Sequence, residues 1–450
     1  MFQRNTKPPA KLTNPVQKKG APKVPRLLRG MKDILPKEQD YWQYLNQKIE
    51  ELTTIYGFKK IETPVLEQAA LFTRGVGVDT EVVQKQMFSF VDEGGEKVCL
   101  RPENTASIVR AYVEHGMLNL PQPVKVYYNA PQFRHEKPQA GRFRQFNQFG
   151  LEVIGDDNPV IDAQIILFSY VFLKELGIPC SIQINSLGCP NCRKNYNKHL
   201  LDFFRAKKRF LCEDCQKRLL KNPLRILDCK NEECQKVCED VPQIIDFVCE
   251  ECKDHFIKVL EYLDELEIPY NLNSRVVRGL DYYTKTIFEI WPEGENAAAG
   301  ALGGGGRYDN LVEELGGPKA PACGMAFGLE RLIAILRANE SIPNKVKNPE
   351  VFLIQVGVPA RKVCLKMFET FRKEKIRVGE AFSKGGLRPQ LELANKMGVK
   401  LALILGQQEM LEGTIIIRDM EDGSQETVNA DKIIDEVKKR LKTKVKKTKM

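Results

Sequence analysis

Apolar positions near the start of the chain recur at the spacing of one helix face. They are Trp42, Leu45, Ile49, Leu52 and Ile55. With Gly57 as a terminator, this pattern predicts a helix over residues 40–56. Short β-branched and aromatic runs then predict extended segments at 58–64, 97–100, 124–128, 181–185, 276–290 and 324–327. Their hairpin-like spacing favours an antiparallel sheet over regular βαβ repeats.

After Pro349 the pattern changes to strands alternating with helices. Strands are predicted at 351–356, 377–381 and 401–405, and helices at 360–374 and around 390–397. Such alternation predicts a small, mainly parallel α/β domain at residues 346–435. Residues 188–270 form a cysteine-rich, mostly helical stretch before strand character returns at Tyr270, and we interpret them as an insertion.

Composition sets broad limits on the class of protein. The 450 residues, 42% of them hydrophobic, suit about three domains with buried cores. No apolar run approaches the roughly 18 residues of a spanning helix, and no secretory leader is recognisable. We therefore expect a cytoplasmic protein without membrane partners. There, 13 cysteines favour metal-binding, reactive or simply buried thiols over disulfides.

The net charge of +10 is concentrated at the two ends of the chain. Residues 1–29 and 438–450 each carry eight Lys or Arg and no acid, which leaves 53 basic and 59 acidic residues between them. We predict a disordered basic arm at 1–29 and a disordered basic tail at 436–450. Such arms favour a polyanion such as RNA through counterion release, although they can also serve solubility alone.

Residues 101–105, RPENT, join a predicted strand to a helical pattern. Glu103 is placed where a carboxylate can receive an ammonium group. The alternative is that Asn104 or Thr105 caps the helix.

A second segment predicts two strands joined by a basic loop. It comprises FRHE at 133–136, GRFR at 141–144 and QFNQFGLE at 145–152. Arg134 and Glu136 share one face of an extended strand, and so do Gln148 and Glu152 on the returning strand. Two such strands with a basic loop make a phosphate clamp.

Arg278 precedes the segment GLDYY at 279–283. A fixed cation beside two phenols and a carboxylate suits a site that holds an imidazole while neutralising an α-phosphate. The alternative is a strand whose aromatic residues alternate into a core.

Two further segments suit a nucleotide. The glycine run in GGGGRYD, 303–309, lets the backbone approach a flat ligand such as a base, or it is a flexible loop without function. GMAFGLERL, 324–332, is a small-residue strand breaking into a helix with Arg331 on its first turn. No Walker lysine motif follows a glycine loop, and no G-x-G-x-x-G opens a βαβ unit, which disfavours both common nucleotide folds.

In this order, the segments resemble the three signature motifs of class II aminoacyl-tRNA synthetases, and they are most similar to the histidyl-tRNA synthetase family. The resemblance runs from RGMKD at 29–33 to about Val437. It implies an α+β catalytic core, with the class II antiparallel sheet and flanking helices, at 30–187 and 271–338. It also implies a helical insertion at 188–270 that contacts the tRNA acceptor stem, and an α/β anticodon-binding domain at 346–435. The first motif, TPVLE at 63–67, corresponds to a homodimer interface.

The resemblance implies site residues one by one. In the ATP site, Arg134 contacts the α-phosphate and Arg331 the γ-phosphate, Glu136 and Arg142 complete the site, and Mg²⁺ bridges the outer phosphates. Arg278 stands over the α-phosphate as the carboxylate of L-histidine attacks, so the catalytic group is Arg134, Arg278 and Arg331.

The resemblance also implies a pocket for histidine. Its implied members are Glu103, Asn104, Thr105, Arg134, Gln148, Glu152, Arg278, Tyr282 and Tyr283. Glu103 and Thr105 hold the α-amino group with Gln148 beside it, and Glu152 and Tyr283 read the imidazole. Two positions depart from the family pattern. Asn104 stands where Gly is usual, which is a mild change because Asn is the residue next most tolerant of a left-handed backbone. Asn147 replaces a usual His, which leaves the role of that side chain open.

The insertion carries two C-x-x-C pairs, Cys189 with Cys192 and Cys212 with Cys215. This spacing matches a four-thiolate zinc ribbon. Further candidate ligands follow at Cys229, Cys234, Cys238, Cys249 and Cys252. The alternative is a set of buried thiols without metal.

The resemblance to the histidyl-tRNA synthetase family implies the activity of a histidine–tRNA ligase. It would activate L-histidine with ATP to histidyl-adenylate, transfer it to the 3′ end of tRNA(His), and form AMP and diphosphate. One alternative is a catalytically silent regulatory subunit of histidine biosynthesis built on the same core. A general RNA-binding module would explain the tails and insertion but not the ordered site residues.

Overall fold

A computed structural model describes residues 25–137, 141–294, 300–340 and 348–448. The chain divides into two units, Met1–Ile342 and Pro343–Met450. Most of the predicted N-terminal arm lies outside the described residues. Among those that are described, no helix has the length and apolar character needed to cross a membrane.

The first unit is built on an eight-stranded sheet and a smaller three-stranded sheet. Its strands are β1 (Lys59–Lys60), β2 (Leu66–Gln68), β3 (Phe88–Val91), β4 (Lys97–Leu100), β5 (Val124–Phe133), β6 (Gln145–Ile154), β7 (Cys180–Ser186), β8 (Tyr270–Leu272), β9 (Thr284–Pro292), β10 (Gly303–Arg307) and β11 (Ala322–Gly328). The large sheet has the order β1-β5-β6-β11-β10-β9-β7-β8, and the small one β2-β4-β3. The outermost pairs of the large sheet, β1–β5 and β7–β8, are parallel, and the pairs between them are antiparallel. The predicted antiparallel sheet is confirmed.

In the described part of this unit, ten α-helices surround the large sheet or extend from it. They are α1 (Gln39–Ile55), α2 (Ala69–Val76), α3 (Thr105–Glu114), α4 (Pro159–Glu175), α5 (Pro190–Ala206), α6 (Glu213–Lys221), α7 (Glu232–Val237), α8 (Glu250–Glu265), α9 (Leu311–Glu314) and α10 (Leu329–Ala338). Apolar residues of α1, α4 and α10 share one core cluster with one face of the sheet. Phe149 of β6 and Phe327 of β11, for example, contact Phe172 of α4 with ring centroids 5.3 and 5.5 Å away. Because side chains alternate along a strand, Gln148, Gly150 and Glu152 lie on the opposite face, which carries the site.

The insertion leaves the sheet after β7 and returns through α8 to β8. Its helices α5, α6 and α7 enclose buried side chains such as Tyr196, Phe204 and Leu219. The predicted helical character is confirmed. The predicted strand over 276–290 is correct only from Thr284, because residues 276–283 form an irregular turn.

The second unit contains a five-stranded mixed sheet. Its elements are β12 (Val351–Gln355), α11 (Val358–Lys373), β13 (Val378–Glu380), α12 (Leu387–Lys396), β14 (Leu401–Leu405), α13 (Gln407–Glu412), β15 (Thr414–Asp419), β16 (Gln425–Asn429) and α14 (Ile433–Thr448). Strands β13, β12 and β14 are parallel, as predicted, whereas β15 and β16 add an antiparallel hairpin that the sequence pattern did not predict.

The predicted disorder of the C-terminal tail is wrong for most of its length. Helix α14 extends to Thr448, well beyond the predicted tail boundary at 436. Ile433, Val437 and Leu441 are buried at a spacing of four residues, so the helix starts on the core of this unit. The following Lys-rich sequence contains no Gly or Pro, and lysine is a good helix former.

Candidate active site

The glycine run 303–306 is strand β10 in the middle of the large sheet, so the alternative of a flexible loop is wrong. Gly304 makes room for the cation at Arg278, since a Cβ there would lie 2.9 Å from Arg278 Nη1. Gly324 on β11 stands opposite Glu152, and a Cβ at Gly324 would collide with the Glu152 carboxylate. Because these glycines have no side chains, the charged side chains of the site can lie directly against the backbone of β10 and β11.

Glu152 is the deepest charged group on this face, with 1% of its surface exposed. The Thr105 hydroxyl donates to Glu152 Oε1 at 2.8 Å, and the Tyr308 hydroxyl donates to Oε2. Burial raises the pKa of Glu152 to about 8, although the two hydroxyl donors oppose the shift. A carboxyl group whose protonation changes near neutral pH can accept a hydrogen bond from an imidazole N–H when it is ionised, or donate one to an imidazole nitrogen when it is protonated.

Tyr282, Tyr283 and Tyr308 lie around the Glu152 carboxyl group. The rings of Tyr282 and Tyr283 lie 4.7 Å apart, and Tyr282 packs edge-on against Tyr308 at 5.6 Å. All three are buried, so they exclude water from the Glu152 carboxylate. Tyr308, which immediately follows the glycine run and Arg307, was not among the predicted site residues.

Glu103 lies at the N-terminus of α3, where it is 3% exposed. Its two oxygens accept the backbone N–H groups of Thr105 at 2.7 Å and Ala106 at 3.0 Å. Burial raises the pKa of Glu103, while these N–H groups and the charge of Arg134 act in the opposite direction. Glu103 thus caps the helix, and the side-chain caps considered for Asn104 and Thr105 are not formed.

Asn104 has φ −113°, so the left-handed backbone expected at this position is wrong. Its Oδ1 instead accepts a hydrogen bond from the Thr63 hydroxyl at 3.1 Å. The side chain thereby ties the segment after β4 to the residues preceding β2, while its Nδ2 is buried without a hydrogen-bond partner among the described residues.

Arg278 is held by Glu289, which was not predicted as a site residue. Nη1 of Arg278 donates to Glu289 Oε1 at 2.9 Å, and the guanidinium lies 5.4 Å from the centroid of the Tyr283 ring. Among the described residues, Nε of Arg278 has no hydrogen-bond partner. The turn that carries Arg278 is fixed by Asp281, whose N–H donates to Val76 O at 3.1 Å. The alternative of a core strand over this segment is therefore wrong.

The remaining predicted arginines lie around the end of the β5–β6 hairpin. Arg134 Nε donates to Pro102 O at 2.8 Å, and its guanidinium lies over the Phe146 ring at 5.4 Å. Arg142 contacts Glu136 at 3.5 Å. Gly141 of the same loop lies against Arg331, since a Cβ there would be 3.5 Å from Arg331 Cγ.

Arg331 is positioned by the first turn of α10, and its Nη1 donates to Ala301 O. Burial lowers the pKa of Arg331, and the neighbouring charges of Arg142 and Arg134 lower it further. Three guanidinium groups thus share one region of the sheet face. Gln148, opposite Ala130 and Gly328 in the strand register, lies on the same face as Glu152.

The Asn147 side chain has a structural role that the sequence left open. Its backbone N–H donates to Glu330 Oε1 at 2.8 Å, and its Nδ2 donates to the same oxygen at 2.9 Å. Glu330 directly precedes Arg331. Asn147 therefore links the β5–β6 hairpin to the start of α10, and no direct ligand contact is needed to explain it.

The predicted zinc ligand set of Cys189, Cys192, Cys212 and Cys215 is wrong, because the structure places the two pairs in different clusters. One cluster is Cys189, Cys192, Cys249 and Cys252, and the other is Cys212, Cys215, Cys229 and Cys234. In each, the four sulfur atoms lie within 4.8 Å of one another. Helix α5 separates the first two C-x-x-C pairs, while α8 brings the distant pair 249/252 back beside 189/192.

The chain is similar to known proteins over most of its length. Residues 30–332 match the family model described as histidyl-tRNA synthetase, and residues 350–440 match an anticodon binding domain. Proteins named histidine–tRNA ligase from Dehalococcoides mccartyi and Thermodesulfovibrio yellowstonii are each 42% identical, over 92% and 93% of this chain and 99% of their own lengths. A crystal structure of apo histidyl-tRNA synthetase from S. aureus has 34% identity and a TM-score of 0.76, and it covers 92% of this chain and 100% of its own.

Proposed function

The chain belongs to the histidyl-tRNA synthetase family, and from that premise we propose how its residues divide the work of the reaction. It activates L-histidine with ATP and transfers the histidyl group to tRNA(His), as a histidine–tRNA ligase. The observation that carries the assignment of the pocket is the buried Glu152 carboxyl group. It lies between three tyrosines at one end of a face that carries several arginines.

We assign the imidazole to Glu152 and Tyr283. A carboxylate accepts an imidazole N–H, and Tyr283 offers a hydroxyl next to it, while Tyr282 closes the wall. Glu152 already receives hydrogen bonds from Thr105 and Tyr308, which fix its orientation before the ligand enters. A side chain that cannot pair with these buried groups loses roughly 10⁴-fold or more in selection, because the groups would be left unpaired.

We assign the α-amino group to Glu103, with Thr105 and Gln148 beside it. Each carboxylate oxygen of Glu103 already accepts one backbone N–H, and each has a second lone pair available for an ammonium group. The cap therefore orients Glu103 without using up its capacity to accept hydrogen bonds. The Asn104 side chain anchors the residues next to Glu103 by accepting a hydrogen bond from the Thr63 hydroxyl.

We assign the triphosphate to Arg134, Arg331, Arg142 and Glu136, and the reacting centre to Arg278 and Arg134. An oxygen of the histidine carboxylate attacks the α-phosphorus, the bond to the bridging oxygen breaks, and diphosphate leaves. Guanidinium groups remain charged throughout and match phosphate oxygens in a planar fork, so they stabilise the developing negative charge. No nucleophile from the protein is required.

Mg²⁺ would be held by the phosphate oxygens of ATP together with the Glu136 carboxylate, since oxygen atoms are the ligands that Mg²⁺ prefers and the phosphates would offset the nearby guanidinium charges. When bound with ATP, the ion neutralises the outer phosphates. In the second step the 3′-terminal hydroxyl of tRNA attacks the carbonyl carbon of the mixed anhydride, the bond from that carbon to the phosphate oxygen breaks, and AMP leaves with its phosphate taking the hydroxyl proton.

We propose that the insertion, residues 188–270, contacts the acceptor stem and that the second unit binds the anticodon. The match of residues 350–440 to an anticodon binding domain supports the second assignment. The basic N-terminal arm and the Lys-rich end of the chain would add salt-sensitive, sequence-independent attraction to RNA. A cytoplasmic location follows from this activity as an expectation.

We also propose a homodimer that forms through the three-stranded sheet. Its strands and the adjoining first motif expose apolar side chains: Val65, Leu66, Phe90 and Val91 have 37, 44, 49 and 65% of their surfaces exposed. A second copy of the chain would cover them. Replacing Phe90 with Asp should shift the mass measured by light scattering from two chains to one, and an unchanged mass would place the interface elsewhere.

The test of the whole assignment is ATP–diphosphate exchange with labelled diphosphate and each of the twenty amino acids in turn. Exchange should depend on histidine alone, and Glu152→Ala should remove it. A catalytically silent regulatory subunit would give no exchange with any amino acid, and so would a general RNA-binding module. Exchange with a different amino acid would show that the pocket is assigned wrongly.

A further inference from the structure

The insertion contains two separate groups of four cysteines, neither of which takes part in the chemistry assigned above. We call Cys189, Cys192, Cys249 and Cys252 the root cluster, and Cys212, Cys215, Cys229 and Cys234 the outer cluster. The sulfur atoms of Cys189 and Cys192 are 3.5 Å apart, and those of Cys212 and Cys229 are 3.9 Å apart. Disulfide sulfurs would be about 2.05 Å apart, so these are not disulfides.

The separations match a single tetrahedral ion. With zinc–sulfur bonds of about 2.3 Å, the edge of a tetrahedron is about 3.8 Å. All four sulfurs of each cluster lie within 4.8 Å of one another. A cubane iron–sulfur cluster holds one thiolate on each of four irons and would spread the sulfurs farther apart. Four thiolates at these distances are therefore the ligand set of a mononuclear soft-metal site, and zinc is its usual occupant.

The backbone around both clusters favours thiolates. Cys189, Cys212 and Cys249 are the residues immediately before helices α5, α6 and α8, so each stands at the positive end of a helix. Backbone N–H groups also point at sulfur: that of Cys249 donates to Cys192 Sγ at 3.1 Å, and that of Cys212 donates to Cys234 Sγ at 3.2 Å. Such N–H donors stabilise metal-bound thiolates and orient them.

The root cluster joins the place where the chain leaves the catalytic sheet to the helix by which it returns. Cys189 and Cys192 begin α5, just after β7, whereas Cys249 and Cys252 begin α8, which leads back to β8. The adjoining backbone is anchored to the sheet, since Leu187 N donates to Lys285 O at 2.7 Å and Lys285 N donates to Gly188 O at 2.9 Å. An ion here would close a loop of about sixty residues, which is entropically favourable for the folded state.

The root cluster also adjoins the turn that carries the catalytic Arg278. Arg193, the residue after Cys192, donates from Nη1 to the backbone oxygen of Asp281 at 3.0 Å. Residue 281 lies in the same turn as Tyr282 and Tyr283. The metal site, the helix start and the substrate-binding turn are therefore connected through one short stretch of chain.

We propose that each chain binds two zinc ions, one in each four-cysteine cluster, and that the ion of the root cluster fastens the insertion to the turn 278–283. The ions are structural and complete their coordination with protein thiolates, so they take no part in adenylate formation. Their presence does not depend on the assigned enzymatic activity, and zinc content can be measured without any substrate.

The first experiment counts the ions by mass spectrometry of the full-length protein purified from zinc-supplemented cells. We expect two zinc ions per chain, one in Cys192→Ser/Cys252→Ser, and one in Cys215→Ser/Cys234→Ser. Cys238→Ser is the matched control, because Cys238 is buried in the same insertion but belongs to neither cluster, so it should retain two. Fewer than two zinc ions in the unmodified protein, iron in their place, or an equal loss in the control would overturn the proposal.

A second measurement does not depend on whether the variants fold. Exchanging the metal of the unmodified protein for Co²⁺ should give the intense visible bands of tetrahedral cobalt thiolate, with an amplitude that saturates at two ions per chain. Weak octahedral bands, or saturation at one ion, would contradict the assignment of both clusters.

Hydrogen exchange tests the role of the root cluster. Removing it should increase amide exchange over residues 278–285 more than removing the outer cluster does, because Leu187, Gly188 and Arg193 lie beside the root ligands. Equal increases in amide exchange over residues 278–285 in the two double variants would refute the fastening role. The number of zinc ions is tested separately, by the first experiment.

Discussion

The raised pKa of Glu152 predicts that histidine binding strengthens as the pH rises from 7 to 8.5. Burial places the pKa of this carboxyl group at about 8 in the free site. Its pKa is thus raised above the ordinary value of 4.5, and the protonated form predominates at pH 7. An imidazole that donates its N–H to Glu152 needs the carboxylate, so the proton must leave when histidine binds.

The magnitude follows from the position of the pKa. At pH 7 about nine-tenths of the free sites are protonated, and removing the proton costs about 1.4 kcal/mol, whereas at pH 8.5 it costs about 0.2 kcal/mol. The difference corresponds to an affinity about eightfold higher at pH 8.5. At pH 7, binding should release about 0.9 proton per site.

Isothermal titration calorimetry measures both quantities, and buffers with different ionisation enthalpies give the number of protons released. Glu152→Gln is the control, because its amide keeps an oxygen acceptor but cannot titrate. The titrating groups of histidine itself affect its binding to both proteins equally, so the difference between the two profiles reports Glu152. Parallel pH profiles for the two proteins would refute the reasoning. If the wild-type affinity instead falls relative to that of the variant as the pH rises, a protonated Glu152 donates its hydrogen bond to the imidazole.

Four further outcomes are expected. Arg278→Ala should lower histidine-dependent ATP–diphosphate exchange by about 10²–10³-fold, since one cation facing developing phosphate charge contributes about 3–4 kcal/mol, and exchange within threefold of wild type would contradict this. Glu103→Gln should weaken histidine binding by about 2 kcal/mol and also lower the melting temperature, because the amide accepts only one of two backbone N–H groups; an equal loss of ATP affinity would make Glu103 purely structural. Without histidine, the wild-type protein should lose stability relative to Glu152→Gln as the pH rises from about 4.5 through 8. The folded protein holds the Glu152 proton with a pKa of about 8 and the unfolded chain with one near 4.5, so the stabilisation is complete below pH 4.5 and is lost as the pH rises through 8; thermal melts across this range check the sign. Deleting all residues after Asn344 should leave exchange measurable but sharply reduce transfer to tRNA and its salt sensitivity, and normal charging would contradict the anticodon assignment.

Periodic features of single elements were predictable from the sequence. The helix expected over 40–56 is Gln39–Ile55, and the strand expected at 97–100 is Lys97–Leu100. In α1 the apolar residues Leu45, Ile49 and Leu52 lie on the face that the helix turns toward the core, whereas Ile55 of the same pattern is exposed. Gln148 and Glu152 also share the predicted face, because alternation along a strand is a local property.

Contacts between distant segments were not predictable in the same way. The ribbon-like spacing of Cys189, Cys192, Cys212 and Cys215 is present, yet the partners of the first pair lie about sixty residues away at the start of α8. Spacing along the chain cannot show which helix starts meet in space. Likewise, Glu289, Tyr308 and Glu330 became recognisable as supporting residues only when the strand order placed them beside Arg278, Glu152 and Asn147.

The supporting contacts change how mutations in the site combine. Arg278 is paired with Glu289, Glu152 receives the hydroxyls of Thr105 and Tyr308, and Glu103 holds two backbone N–H groups, so all three are oriented by contacts within the protein. Each charged group is thus oriented by the protein and needs little reorganisation when substrate binds. Removing a supporting residue leaves its charged partner both buried and misplaced. The loss from Glu289→Gln and that from Arg278→Ala should therefore not add, because once Arg278 is absent Glu289 has no cation left to orient.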